Sequence, residues 1–101
     1  MTYNKLIRDK IPEIIKETGK TCVVETVSQE DYMKLLVRKL FEEAGEFSKE
    51  RDIKELADLL EVIETLAINL DSSLDYIMKI KESKKSERGG FSKKLKLLKV
   101  E

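Results

Sequence analysis

Histidine is absent from the 101-residue chain, and Cys22 is its single cysteine. The first absence removes His-based acid–base catalysis and most zinc sites. The second removes an internal disulfide framework and any Cys-based zinc cluster. Aromatic residues make up only 6% of the chain, which argues against an aromatic-rich β-sandwich. No apolar run approaches the roughly 20 residues of a membrane span, and the first residues lack the apolar core of a signal peptide. A soluble cytoplasmic protein with no membrane partner is therefore expected. The formal net charge is zero, so the totals predict no polyanion binder. Nothing resembles a recognition helix or an aromatic platform, and no specific nucleic-acid partner is expected.

What the chain has instead is charge. Charged residues make up 40% of it, a composition that favours helices. The length suits one domain spanning residues 1–101. The charges are unevenly spread. Residues 30–75 hold thirteen acids and six bases, a net of −7, whereas residues 76–101 hold nine bases and three acids, a net of +6. An acidic middle followed by a basic tail suits a site for both a cation and an anion, or two regions that attract each other.

Hydrophobic spacing predicts a mainly α fold. Asp9 is placed to cap a short helix with Pro12 in its first turn and Gly19 at its end. The β-branched run "TCVVETV", residues 21–27, reads as a strand. Ser28 and Asp31 have the spacing of a capping box for a helix from about residue 29 to about 49. Its apolar stripe is Met33, Leu36, Val37, Leu40, Ala44 and Phe47. Asp52 restarts a helix lasting to about Leu70, with Ile53, Leu56, Ala57, Leu60, Ile63 and Ala67 as its main stripe. Leu59, Val62, Leu66 and Ile68 carry apolar character almost all the way round this second helix, which predicts burial on several sides and hence a homo-oligomer. Asp71 or Ser72 is placed to cap a third long helix ending before Gly89-Gly90. The tail "FSKKLKLLKV" reads as an edge strand that could pair with residues 21–27.

Two carboxylate pairs, Glu43/Glu46 and Glu55/Asp58, interrupt this pattern beside apolar residues. At about 100° per residue from Leu40, Glu43 falls about 60° to one side, Glu46 about 120° to that side, and Glu42 nearly opposite. Two i, i+3 pairs on antiparallel helices can point at one spot. Four anions there repel one another unless protons or a cation neutralise them. A hard divalent cation fits, and Mg²⁺ is commonly shared with substrate phosphates. Ordinary roles compete. Glu55 has the N3 position of a capping box begun by Asp52, and Glu46 is spaced to pair with Lys49 or Glu50 with Lys54.

The order Glu43-x-x-Glu46 followed by Glu55-x-x-Asp58 resembles the E-x-x-E…E-x-x-D signature of the MazG-like, all-α nucleoside triphosphate pyrophosphohydrolases. That group includes phosphoribosyl-ATP pyrophosphohydrolase and the dimeric dUTPases. "YNKLIRDKIPEII" near the start and "ERGGF" near the end look like its small single-domain branch of house-cleaning enzymes. The resemblance implies a helical-bundle homodimer or homotetramer with sites at subunit interfaces. It also implies Mg²⁺-dependent cleavage (with Mn²⁺ as a substitute) of a nucleoside triphosphate to the monophosphate and pyrophosphate. By motif position Glu43, Glu46, Glu55 and Asp58 would be metal ligands, with Glu43 or Glu46 orienting or deprotonating a water.

Phosphate charge also needs protein cations. Candidates are Asn4, Lys5, Arg8 and Lys10 near the start and Lys84, Lys85 and Arg88 before the glycine pair. Tyr3, Phe41, Tyr76 and Phe91 could stack on a base or fill core. Two alternatives remain at this level: a narrow metabolic pyrophosphohydrolase acting on phosphoribosyl-ATP or dUTP, and a non-catalytic helical oligomerisation or regulatory module.

Overall fold

A computed structural model describes residues 4–101 and shows four helices: α1 (Ile11–Glu17), α2 (Gln29–Glu50), α3 (Ile53–Asn69) and α4 (Leu74–Arg88). Helix α2 starts where Ser28 accepts a hydrogen bond from the Asp31 N–H at 3.2 Å, satisfying a donor that has no partner within the helix. Helix α3 starts where the Asp52 carboxylate accepts from the Lys54 N–H at 3.0 Å. Only Arg51 and Asp52 separate the two helices, so they fold back as an antiparallel hairpin. Its far end is closed by Gln29 Nε2 donating to Asn69 Oδ1 at 3.0 Å. Helix α4 packs on α3 alone among the helices, and Gly89, at φ 83°, ends it.

The caps differ in two places from the sequence expectation. Lys10, not Asp9, precedes α1 and makes no side-chain cap, so the helix rests on Pro12 and on local turns such as Ile11 N–H to Arg8 O. Ser73, not Asp71 or Ser72, caps α4 by accepting from the Tyr76 N–H at 3.1 Å. The chain needs Asp71 at φ 57° to turn the corner first.

No strand forms among the described residues. Residues 21–27 and the tail after Gly90 are non-helical but unpaired, so both expected strands are absent. Val23 and Leu95 are almost fully exposed, which shows the reason. A lone two-stranded pair without a third strand or a helix to cover it has little stability in water; Thr21, Cys22 and Val24 border only the short α1, beside Pro12, Glu13 and Lys16, and the tail is exposed.

Packing keeps most of the stripe expected on α2 and covers only part of the one expected on α3. On α2 the buried residue is Leu36, flanked by half-buried Met33, Leu40, Glu43 and Phe47, while Val37 and Ala44 face out. On α3 the covered side runs through Glu55, Asp58, Leu59, Val62 and Leu66. Of the main stripe expected there, Ala67 is buried and Ile63 half-buried, while Ile53, Leu56, Ala57 and Leu60 are exposed. Among the described residues only Leu36, Val62 and Ala67 are buried hydrophobic residues. The radius of gyration is 17.9 Å, against about 13 Å for a compact domain of this length. No helix among the described residues is long and apolar enough to cross a membrane.

Arg51 carries the α2–α3 turn at φ 55°, a left-handed conformation that side chains with a Cβ adopt at a cost. Its N–H still bonds Phe47 O at 2.8 Å, so the backbone must keep this shape. Arg51→Gly is expected to stabilise the hairpin by roughly 0.5–1 kcal/mol, read as a higher midpoint in thermal unfolding at fixed protein concentration.

Candidate metal centre

The hairpin brings its carboxylates to similar heights. With about 1.5 Å of rise per residue, Glu43 lies about 10 Å before the end of α2 and Asp58 about 8 Å after the start of α3. Orientation then selects among them. Measured from Leu36, the most buried residue of α2, Glu43 is about 20° away around the helix and Glu46 about 80° away. Glu43 therefore points at α3, and Glu46 is exposed at the rim. Carboxylate oxygens of Glu43, Glu55 and Asp58 lie within 4.8 Å of one another, each half-buried. Three of the four signature carboxylates converge, and Glu46 stands outside the trio. The Asp52 side chain caps α3, while the Glu55 side chain belongs to the cluster.

Partial desolvation raises the Glu55 pKa above its ordinary 4.5, and repulsion from Asp58, Glu43, Glu46 and Asp52 raises it further. Glu46 is thus close enough to act on Glu55 through charge. A carboxyl group with a raised folded-state pKa binds more protons folded than unfolded, so in that interval stability falls as pH rises. Cation-free protein is therefore expected to gain stability as pH is lowered from 7 into the region just above 4.5, and Glu55→Gln to flatten that gain. Urea midpoints against pH check it, and a rising midpoint from acid to neutral pH attributable to Glu55 would contradict it.

Two of the three carboxylates already have protein cations. Lys39 Nζ lies 3.5 Å from Glu43 and 3.6 Å from Glu42, with Lys39 19% and Glu43 13% exposed. Arg8 Nη2 donates to Asp58 Oδ1 at 2.8 Å, fifty residues away in sequence. Lys5 Nζ lies 3.5 Å from Glu42. Glu42, expected to face solvent, is instead half-buried between two lysines, because the N-terminal segment folds over that side of α2. Lys39 is a cation of the site that the sequence reading left unassigned. Its signal was the i, i+3 and i, i+4 spacing to Glu42 and Glu43.

The other expected phosphate binders divide into two places. Asn4 flanks Lys5 and Lys10 precedes α1, both exposed. Lys84, Lys85 and Arg88 line a separate open groove of about 840 Å³ with Ile77, Ile80 and Phe91. Among the described residues none of these three pairs with a carboxylate of the cluster. Phe41, Tyr76 and Phe91 are exposed rather than core; Tyr3 lies outside the described residues.

The donor set fits a hard divalent cation. Three oxygen ligands converge from two rigid helices, and the one without a protein cation among the described residues, Glu55, is held in an environment that disfavours its charge. No protein-family model matches the chain. A protein of Mycolicibacterium smegmatis described as uncharacterized is 45% identical over 42 residues, covering 42% of this chain and 43% of the relative, so the match spans less than half of each. No solved structure matches.

Proposed function

We propose that the chain is a Mg²⁺-dependent nucleoside triphosphate pyrophosphohydrolase, cleaving NTPs or dNTPs to the monophosphate and pyrophosphate as a homodimer or homotetramer. House-cleaning of modified or surplus nucleotides is the role that suits it. The observation that carries this reading is the convergence of Glu43, Glu55 and Asp58 from an antiparallel hairpin, in the spacing of the all-α pyrophosphohydrolase signature. These three residues would hold the cation. When bound, Mg²⁺, or Mn²⁺ in its place, supplies Lewis acidity toward phosphate oxygens and water.

Glu46 is the better candidate for general base than Glu43. It borders the cluster without belonging to it, so its oxygens are free to orient a water and take its proton. Water adds across the α–β anhydride and the pyrophosphate leaves. Lys5 and Arg8, at the edge of the cluster, would meet the substrate phosphates, and in an oligomer a neighbouring copy of the chain would bring Lys84, Lys85 and Arg88.

One observation favours a second reading. Arg8 and Lys39 already offset charge on Asp58 and Glu43, as a cation-free structural module would require. A panel of triphosphates with Mg²⁺ and the full chain separates the possibilities. Pyrophosphate from several NTPs and dNTPs is expected. Release from phosphoribosyl-ATP or dUTP alone would replace the broad specificity with a narrow metabolic one, and no release from any would leave the module.

A further inference from the structure

We infer that the N-terminal segment is a cationic strap across the carboxylate cluster, and that a divalent cation binds by displacing Arg8 from Asp58. The inference rests on the reading that this cluster takes a divalent cation. Residues 4–10 form no helix, yet the segment is tied to the hairpin at two points, Lys5 to Glu42 on α2 and Arg8 to Asp58 on α3. The second tie ends on one of the three convergent carboxylates. Arg8 thus occupies the position of a counter-cation at a cluster that would otherwise be more strongly repulsive.

The two counter-cations differ in how easily they can leave. Lys39 projects from α2 itself and is mostly covered, so it stays beside Glu43 whatever else binds. Arg8 is 58% exposed, its partner Asp58 44% exposed, and its backbone belongs to a segment without regular structure. Exposed ion pairs of this kind contribute little. A dication drawing on Asp58 competes directly with the guanidinium for the same oxygens and gains the attraction of Glu43 and Glu55 as well. Once displaced, Arg8 remains tethered within the same segment, with its five donors available for an anion arriving with the cation. The strap thereby keeps the cluster partly neutral in the absence of the cation and delivers an arginine when it arrives.

Mn²⁺ serves as the probe. Its binding to the full chain is followed by loss of the free-ion electron paramagnetic resonance signal, for wild type, Arg8→Gln, and Lys79→Gln as a control of equal charge change on α4. Arg8→Gln is expected to bind about two- to fivefold more tightly than wild type, the range a displaced exposed pair can contribute, with Lys79→Gln near wild type. Amide exchange over residues 4–10 is expected to accelerate when Mg²⁺ is added to wild type. If wild type binds Mn²⁺ but Arg8→Gln binds no more tightly, or the segment's exchange is unchanged, the strap is wrong and the cation site stands. If neither protein binds Mn²⁺, the cation site fails and the strap with it.

Discussion

Asp58→Asn and Glu55→Gln are each expected to lower Mg²⁺-dependent pyrophosphate release by on the order of a hundred- to a thousandfold or more, while the far-ultraviolet circular dichroism stays helical. Both substitutions keep shape and remove one negative charge from a cluster whose three carboxylates lie within 4.8 Å of one another. Loss of a fold would also abolish turnover, so stability without the cation is the second readout. Among the described residues Glu55 has no cation partner, and partial desolvation and its four acidic neighbours disfavour its charge, so Glu55→Gln is expected to raise the unfolding midpoint in chelator-treated buffer. Asp58→Asn removes repulsion but also the Arg8 hydrogen bond, so its midpoint is expected to change little. A chain held together by these carboxylates in the ordinary structural sense gives the opposite pattern, with both variants less stable and no Mg²⁺-dependent activity to lose. Full pyrophosphate release by Glu55→Gln would remove the cluster from the chemistry.

The hairpin and its acids were readable because they depend on local chemistry. Ser28 and Asp52 mark helix starts by the hydrogen bonds they make to backbone donors within three residues, and periodicity does the rest. The convergence of Glu43 with Glu55 and Asp58 follows from a two-residue turn and helical pitch, both visible in sequence. Glu46 stands exposed outside the convergent trio, near enough to act on Glu55 through charge. With apolar residues around most of α3 and a broad stripe on α2, sequence cannot say which side meets which helix. Leu36 centres the α2 face, and measured from it Glu43 lies about 20° away where Leu40 had put it at about 60°, while Glu46, at about 80°, stays at the rim. The strands at 21–27 and in the tail failed for a different reason. Local β preference marks a segment that can pair, and pairing needs a tertiary cover that no local pattern reports. The Arg8–Asp58 contact spans fifty residues, and no spacing rule reaches that far.

Leu60→Glu is expected to dissolve the assembly and most of the helix with it. Leu60 lies on the side of α3 that the hairpin leaves open, together with Ile53 at 75% exposure and Leu56, while Phe41 is 73% exposed on α2. An isolated chain with three buried hydrophobic side chains has too little buried apolar surface to offset the roughly 1–2 kcal/mol of conformational entropy each ordered residue costs. A second copy covering that open side would supply the missing burial. Wild type is therefore expected to elute as a multiple of 11.7 kDa and to melt at a temperature that rises with protein concentration. A carboxylate forced into such an interface costs several kcal/mol, enough to weaken association about a thousandfold or more. Light scattering would then show Leu60→Glu as a monomer, with circular dichroism reporting lost helix. Lys79→Glu, at another exposed position, on α4, is the control expected to remain assembled. The half-buried Glu64 lies one position beyond Ile63 on this helix, so a second copy that covers Leu60 must also accommodate its charge. A wild-type chain that is monomeric and melts cooperatively at one temperature from about 1 to 100 µM would show that the open apolar side needs no partner, and the oligomer would have to be given up.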